Sequence, residues 1–180
     1  MEHLARFGPE PAWAYGGGVQ EVYRLLPLKK RLEAAAMPRG ERRLDARWRY
    51  ASRTGSAEAL ADGDLSTAWE IDELAHEETL HVGFRGEVVR VSGMVIPMLR
   101  SSFFPQSFDI EGRRPDGEWE VVARFDDAHR LQLVDRLLAS PGEAEVGFDL
   151  GGRELVALRL IARGKSFQGW RIHELEILVN

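Results

Sequence analysis

The 180-residue chain contains no cysteine. No disulfide can brace the fold, and neither thiol chemistry nor a Cys-ligated metal is available. No apolar run approaches the ~18 residues that span a bilayer. The start, Met1-Glu2-His3, lacks the charged-then-apolar pattern of a signal peptide. It reads as an ordinary or mid-protein start, and the chain is expected to be a soluble piece of something larger. The five histidines, His3, His76, His81, His129 and His173, form no H-x-x-x-H or H-x-H pair, so no zinc motif is legible. No nucleophile–base pair or opposed-carboxylate spacing is recognisable, and the expectation is a protein that is not an enzyme. Gly16-Gly17-Gly18 is followed by no Lys-Ser/Thr and is no phosphate loop. No internal repeat or low-complexity tract stands out.

What is present is enough for one domain with a substantial core and an appendage. Hydrophobic residues make up 44% of the chain, which is ordinary for a globular protein. Charge is uneven: residues 1–53 carry 11 Lys and Arg against 6 Asp and Glu, whereas 54–180 carry 13 against 23. An acidic body argues against a nucleic-acid surface. The basic arm interleaves its charges with apolar residues, as a solvated helix face docked on an acidic domain does.

Val19, Val22, Tyr23 and Leu26 share a helical face; Pro27 interrupts, and Leu28, Leu32 and Ala35 resume it. Residues 1–46 therefore read as an N-terminal extension with one or two short helices. From residue 47 onward the pattern turns to strands. Arg47 to Ser52 opens with Trp48 and Tyr50 on one face, and Leu80 to Phe84 alternates. Val88 to Leu99 is long but broken by Gly93 and Pro97, and Ser107 to Gly112 precedes a D-G hairpin turn at Asp116-Gly117. Trp119 to Phe125, Glu145 to Leu150, Leu155 to Ala162 and Trp170 to Val179 follow. Leu131, Val134, Leu137 and Leu138 have helical spacing, with Asp127 placed to cap them, and mark one inserted helix. Residues 47–180 are thus expected to be an all-β, antiparallel sandwich.

The most informative stretch is Ala59 to Trp69. Asp62-Gly63-Asp64 is a tight acidic turn in which Gly63 permits a positive φ. Two carboxylates and the Thr67 hydroxyl gather the hard oxygens that Ca²⁺ requires. Alone, the same residues read more readily as a plain acidic turn before a core Trp. At the far end, Gly169-Trp170-Arg171-Ile172-His173-Glu174-Leu175-Glu176-Ile177 is a strand pattern. Together, A-x-x-D-G-D-x-x-T-x-W and the closing W-x-I-x-E-L-E-I resemble the coagulation factor 5/8 type C (discoidin) family, which includes many bacterial carbohydrate-binding modules. The resemblance covers roughly residues 48 to 180. It implies a jelly-roll β-sandwich and a structural Ca²⁺ where the D-G-D turn meets the last strand. Carried across, the ligands are the Ala59, Asp64 and His173 carbonyls, the Asp62 and Glu174 carboxylates, and Thr67. Animal members often close the domain with a disulfide, which this chain cannot form.

The resemblance also implies a binding role through loops at one end of the sandwich. Sugar recognition uses an aromatic plane and forked donors. The matching positions are Arg100 and Phe167, with Lys165, Gln168, Phe103 and Phe104 as neighbours. Many sugar binders have His directly after the motif's Trp; here that place is Glu70. The expected partners are a carbohydrate or another part of a larger bacterial envelope protein, the second without sugar affinity. Membrane contact through Phe103 and Phe104 is a less favoured alternative, and an extracytoplasmic setting is expected.

Overall fold

The computed structural model describes residues 37–43, 45, 47–53, 57–71, 77–99, 102, 104, 105, 107–126, 129, 130, 133, 144–162 and 169–180. The helices expected over 19–36, and residues 131, 134, 137 and 138 of the inserted one, lie outside these. Eleven strands are described: β1 (Glu41–Arg43), β2 (Arg49–Ser52), β3 (Trp69–Ile71), β4 (Glu78–Gly83), β5 (Val89–Met98), β6 (Phe108–Arg113), β7 (Trp119–Phe125), β8 (Ala144–Leu155), β9 (Ala157–Ala162), β10 (Trp170–Ile172) and β11 (Glu176–Val179). A single 3₁₀ turn, Glu58–Ala61, precedes the acidic bend.

Alternation of apolar and polar residues sets which side each strand turns inward. The resulting strips assemble into a four-stranded sheet in the order β1-β11-β5-β8 and a five-stranded sheet in the order β2-β4-β9-β6-β7, with a short β10-β3 ladder beside them. Every described pairing is antiparallel. Met94, Ile96 and Phe148 from one sheet meet Leu80, Phe108 and Leu160 from the other in one buried core. The expected all-β antiparallel sandwich is what forms. No helix among the described residues is long and apolar enough to cross a membrane.

Several boundaries differ from the sequence reading, each for a local reason. Glu41–Arg43 is a strand on the N-terminal side of the expected boundary at 47, paired with Val179, Leu178 and Ile177. It is a wholly exposed edge strand, so it carries no apolar signal. β5 is not broken: Gly93 only shifts its register, and Pro97 lies one residue from its end. β8 runs unbroken from Ala144 to Leu155, because Gly151 and Gly152 take positive φ (72° and 64°) and carry it round a bend. The last strand is in fact two, β10 and β11, which belong to different ladders. At the start of the inserted segment the Asp126 carboxylate accepts the His129 amide (3.3 Å), and the Arg130 amide bonds to the Asp126 carbonyl (3.1 Å); Asp127, the expected cap, lies outside the described residues.

The aromatic centre of the core is Phe108. Its ring stacks on Phe125 with centroids 4.9 Å apart and meets Phe148 at 5.8 Å and Trp170 at 5.2 Å. Such packing leaves little room for collapse after truncation. Phe108→Ala is expected to destabilise the domain by about 3–5 kcal/mol. Urea unfolding that shows a loss below about 1 kcal/mol would contradict this arrangement of the core.

Candidate functional site

The acidic bend is built from its own side chains. Gly63 turns the chain with φ 75°. The Asp62 carboxylate accepts the Asp64 amide (2.8 Å) through one oxygen and the Thr67 hydroxyl (2.7 Å) through the other. The Asp64 carboxylate accepts the Ser66 amide (2.8 Å), and its carbonyl accepts the Thr67 amide (3.0 Å). These bonds need no partner from outside the turn, so residues 62–67 can set their shape early.

Trp69 then anchors the turn. Its ring is buried edge-on against Trp170, with centroids 5.3 Å apart, and its indole N–H donates to the Ser52 hydroxyl (2.9 Å). Trp69, Glu70 and Ile71 pair with Ile172, Arg171 and Trp170. Beyond that ladder the Leu175 amide donates to the Leu60 carbonyl (3.0 Å), and His173 Nδ1 contacts the Thr67 carbonyl at 2.7 Å. Only a protonated Nδ1 can serve a carbonyl, which fixes the tautomer. The sequence reading assigned His173 only a carbonyl role; its ring has this second one. Asp62, Asp64, Thr67, His173 and Glu174 are thereby gathered in one place, with Ala59 in the adjoining 3₁₀ turn.

Glu174 is the unusual member. It is buried, and among the described residues no side chain hydrogen-bonds or ion-pairs with its carboxylate. Burial first, then the negative charges of Glu176, Asp62 and Asp64, hold its carboxyl above the ordinary carboxylate range. No cluster of three His, Asp or Glu side chains closes on one point among the described residues. A cation here would therefore draw on carbonyls as well as carboxylates. That mixture of oxygens is the donor chemistry of a hard divalent ion.

The opposite end of the β3–β10 ladder carries loops. Ala162, at the end of β9, stands beside both Glu78 and Phe108, and Phe108 stands beside Phe125. Met98 faces Ala144, and Ile71 faces Trp170. The connections 72–77, 99–107, 126–143 and 163–169 consequently spring from one end of the sandwich. Arg100, Phe103, Lys165, Phe167 and Gln168 belong to these connections but lie outside the described residues. Two other expected residues are described. Phe104 does not project: its half-buried ring rests on Phe108 and Phe125 (5.9 and 5.3 Å) and caps the core. Glu70 is exposed, with Arg171, directly opposite in the ladder, 3.5 Å from its carboxylate.

The sequence reading missed the Leu60–Leu175 bond, since backbone groups leave no trace in residue type. It did contain a signal for the split end strand: the positions that join the central hydrophobic core are Trp170 and Ile172, then Leu175, Ile177 and Val179. The parity of the inward side changes between 172 and 175, which a single flat strand cannot do.

No protein-family model matches the sequence, and no curated protein matches it either. Solved structures do. A chitosan-binding module of a chitosanase/glucanase from Paenibacillus sp. IK-5 is 14% identical, with 74% of this chain and 96% of that one covered and a TM-score of 0.54. The family 32 carbohydrate-binding module of Clostridium perfringens NanJ, solved with galactose, is 16% identical over 72% of this chain and 92% of its own, with a TM-score of 0.53. A further Clostridium perfringens module, solved with GalNAc-β-1,3-galactose, is 10% identical and is covered over 100% of its length by 77% of this chain, with a TM-score of 0.57. These likenesses show that the chain shares the β-sandwich fold of these modules.

The raised carboxyl of Glu174 has a definite sign in stability. The folded state holds this proton more tightly than the unfolded one, so the group favours folding below the ordinary value of 4.5. That advantage is lost as pH climbs through the raised value. In chelator, Glu174→Gln is expected to melt higher than the parent at pH 7 and to flatten its decline above pH 4.5. A chelated variant that melts lower than the parent at pH 7 would contradict a crowded, uncompensated carboxylate.

Proposed function

We propose that this domain is a non-catalytic glycan-binding module of a larger extracytoplasmic protein, and that a structural Ca²⁺ stiffens it. The observation that carries the reading is the convergence of four connections on one end of a sandwich whose fold is shared with modules solved with galactose and with GalNAc-β-1,3-galactose. Rigid strands that present variable loops suit recognition rather than chemistry. Arg100 would supply forked donors to sugar hydroxyls and Phe167 a plane for the apolar face of the ring. Lys165, Gln168 and Phe103 stand close by in sequence. Phe104 supports the loop from beneath through its contacts with Phe108 and Phe125.

The cation would be held by the Asp62 and Glu174 carboxylates, the Thr67 hydroxyl and the Ala59, Asp64 and His173 carbonyls. Its charge would offset the carboxylates that face one another there. The acidic turn and the terminal strand would then be tied through shared oxygens as well as through the Leu60–Leu175 bond.

One observation favours a second reading, a structural or interaction domain without sugar affinity. Glu70, which stands where many sugar binders carry His, sets an exposed carboxylate beside Arg171 (3.5 Å) in place of an imidazole.

Two experiments test these readings. Titration with galactose, GalNAc and glucosamine oligomers, or a glycan array, is expected to give binding that Arg100→Ala and Phe167→Ala each weaken by about 1–3 kcal/mol. A folded protein that binds none of them, with silent variants, selects the second reading. Saturating Ca²⁺ at ~1,000 times its dissociation constant is expected to stabilise the parent by about 4 kcal/mol. Asp62→Ala should abolish that gain; a melting temperature indifferent to chelator removes the metal.

A further inference from the structure

The outer face of the five-stranded sheet carries an aromatic group remote from the loop end. Strand register lays two rows of residues across it. One runs from Gly83 through Ala157 and Arg113 to Trp119, the other from His81 through Arg159 and Glu111 to Val121. Adjacent strands stand about 4.8 Å apart, so β4 and β7, with two strands between them, are about 14 Å apart. Yet the ring centroids of His81 and Trp119 are only 6.2 Å apart. The indole therefore lies along the sheet, reaching back over β6 towards β9, and does not stand off it. The small residues Ala157 and Gly83 further along its own row leave it room.

The ring is pinned on one side. The Arg159 guanidinium sits over it, 4.2 Å from the centroid, at cation–π distance. Arg159 is itself fixed by the buried Glu111, to which its Nε donates at 2.7 Å. Trp119 nevertheless stays half-buried, whereas Trp48, Trp69 and Trp170 are 4%, 3% and 0% exposed. On the same strand Val121 is 50% exposed. Charge decides what can rest on such a surface. Residues 54–180 carry 13 Lys and Arg against 23 Asp and Glu, which repels an anionic polymer. The cations nearest the ring are engaged within the domain: Arg159 with Glu111, and Arg113 with the Gly117 carbonyl of its own hairpin (3.2 Å). Farther along, Arg124 pairs with Asp109. Burial first, then Arg159, hold His81 below its ordinary 6.5, so near neutral pH its ring is an uncharged donor and acceptor. A pinned indole beside a neutral imidazole and paired charges suits an uncharged ligand with an apolar face and hydroxyl edges.

We propose that this sheet face is a second glycan site, separate from the loop end, on which a neutral hexopyranose chain stacks one ring on Trp119 and extends past Val121. The apolar face of the sugar covers the open flank of the indole. Its hydroxyls meet His81 and those N–H groups of Arg159 that Glu111 does not take. The Glu111–Arg159 pair fixes the indole before any ligand arrives, so little side-chain freedom is lost on binding. The site does not depend on the loop-end reading, because neither Arg100 nor Phe167 takes part in it.

Tryptophan emission supplies the test. With Trp13 replaced by Phe in the full chain, Trp119 is the one remaining tryptophan that is not buried, so quenching by acrylamide reports its ring. Acrylamide is expected to quench it in the free protein. Cellohexaose or the N-acetylglucosamine hexamer is expected to shift its emission to the blue and to protect it. In calorimetric titration Trp119→Ala should weaken that binding at least roughly tenfold, and Arg100→Ala should leave it unchanged. Val121→Glu, at an exposed position, should weaken it in the same direction and serves if the alanine variant does not fold. A ring that acrylamide cannot reach, emission indifferent to both oligosaccharides, or binding that Arg100→Ala removes and Trp119→Ala spares, overturns the proposal. An emission shift that follows protein concentration and not sugar gives the face to a second copy and likewise overturns it.

Discussion

The Leu175 amide reaches back more than a hundred residues to the Leu60 carbonyl. That bond fixes the relation between the two halves of the site. On one side of it the β3–β10 ladder aligns Trp69 with Ile172 and brings Trp69 edge-on to Trp170. On the other, His173 holds the Thr67 carbonyl, and the buried Glu174 lies near enough to Asp62 and Asp64 to feel their charge. A single backbone hydrogen bond adds only about 1 kcal/mol. Its weight here is positional, because it closes a long loop whose entropy the buried tryptophans have already offset.

Consequences run in both directions along the chain. Towards the loop end, the ladder fixes where connections 72–77 and 163–169 begin, so whatever those loops hold is referred to the same rigid frame. Towards the outer sheet, β11 follows immediately from the junction, and its Glu176 is bonded by Arg42 of β1. The junction, the loop end and β1 are therefore joined through one short stretch, residues 170–179. The outer face of the five-stranded sheet is occupied differently. There Arg159 lies over Trp119 at 4.2 Å and pairs with Glu111, and burial and Arg159 together depress His81.

Much of this was legible in the residues. Alternation identified β4, β6 and β9 because Leu80 and Val82, Phe108 and Ile110, and Leu158 and Leu160 recur at every second position on the core side. The D-G-D turn and the final W-x-I motif pointed to the same corner, where the structure places them. Other features left no mark. Glu41–Arg43 is a strand only because Ile177–Val179 offers an edge, and its own side chains are all solvated. Gly151 and Gly152 look like a strand terminator, yet at positive φ they bend β8 without ending it. Phe104 looked like a projecting aromatic, but a cluster of Phe108 and Phe125 close by was a better place for its ring.

The most direct measurement is amide hydrogen exchange at Leu175. Its N–H lies in a short segment between two strands and owes its partner entirely to Leu60. The account requires it to exchange as slowly as the central amides of β5 and β8, and more slowly still when Ca²⁺ is added. Exchange at the rate of an open chain, while β5 and β8 stay protected, would show that the early bend and the terminal segment are not joined.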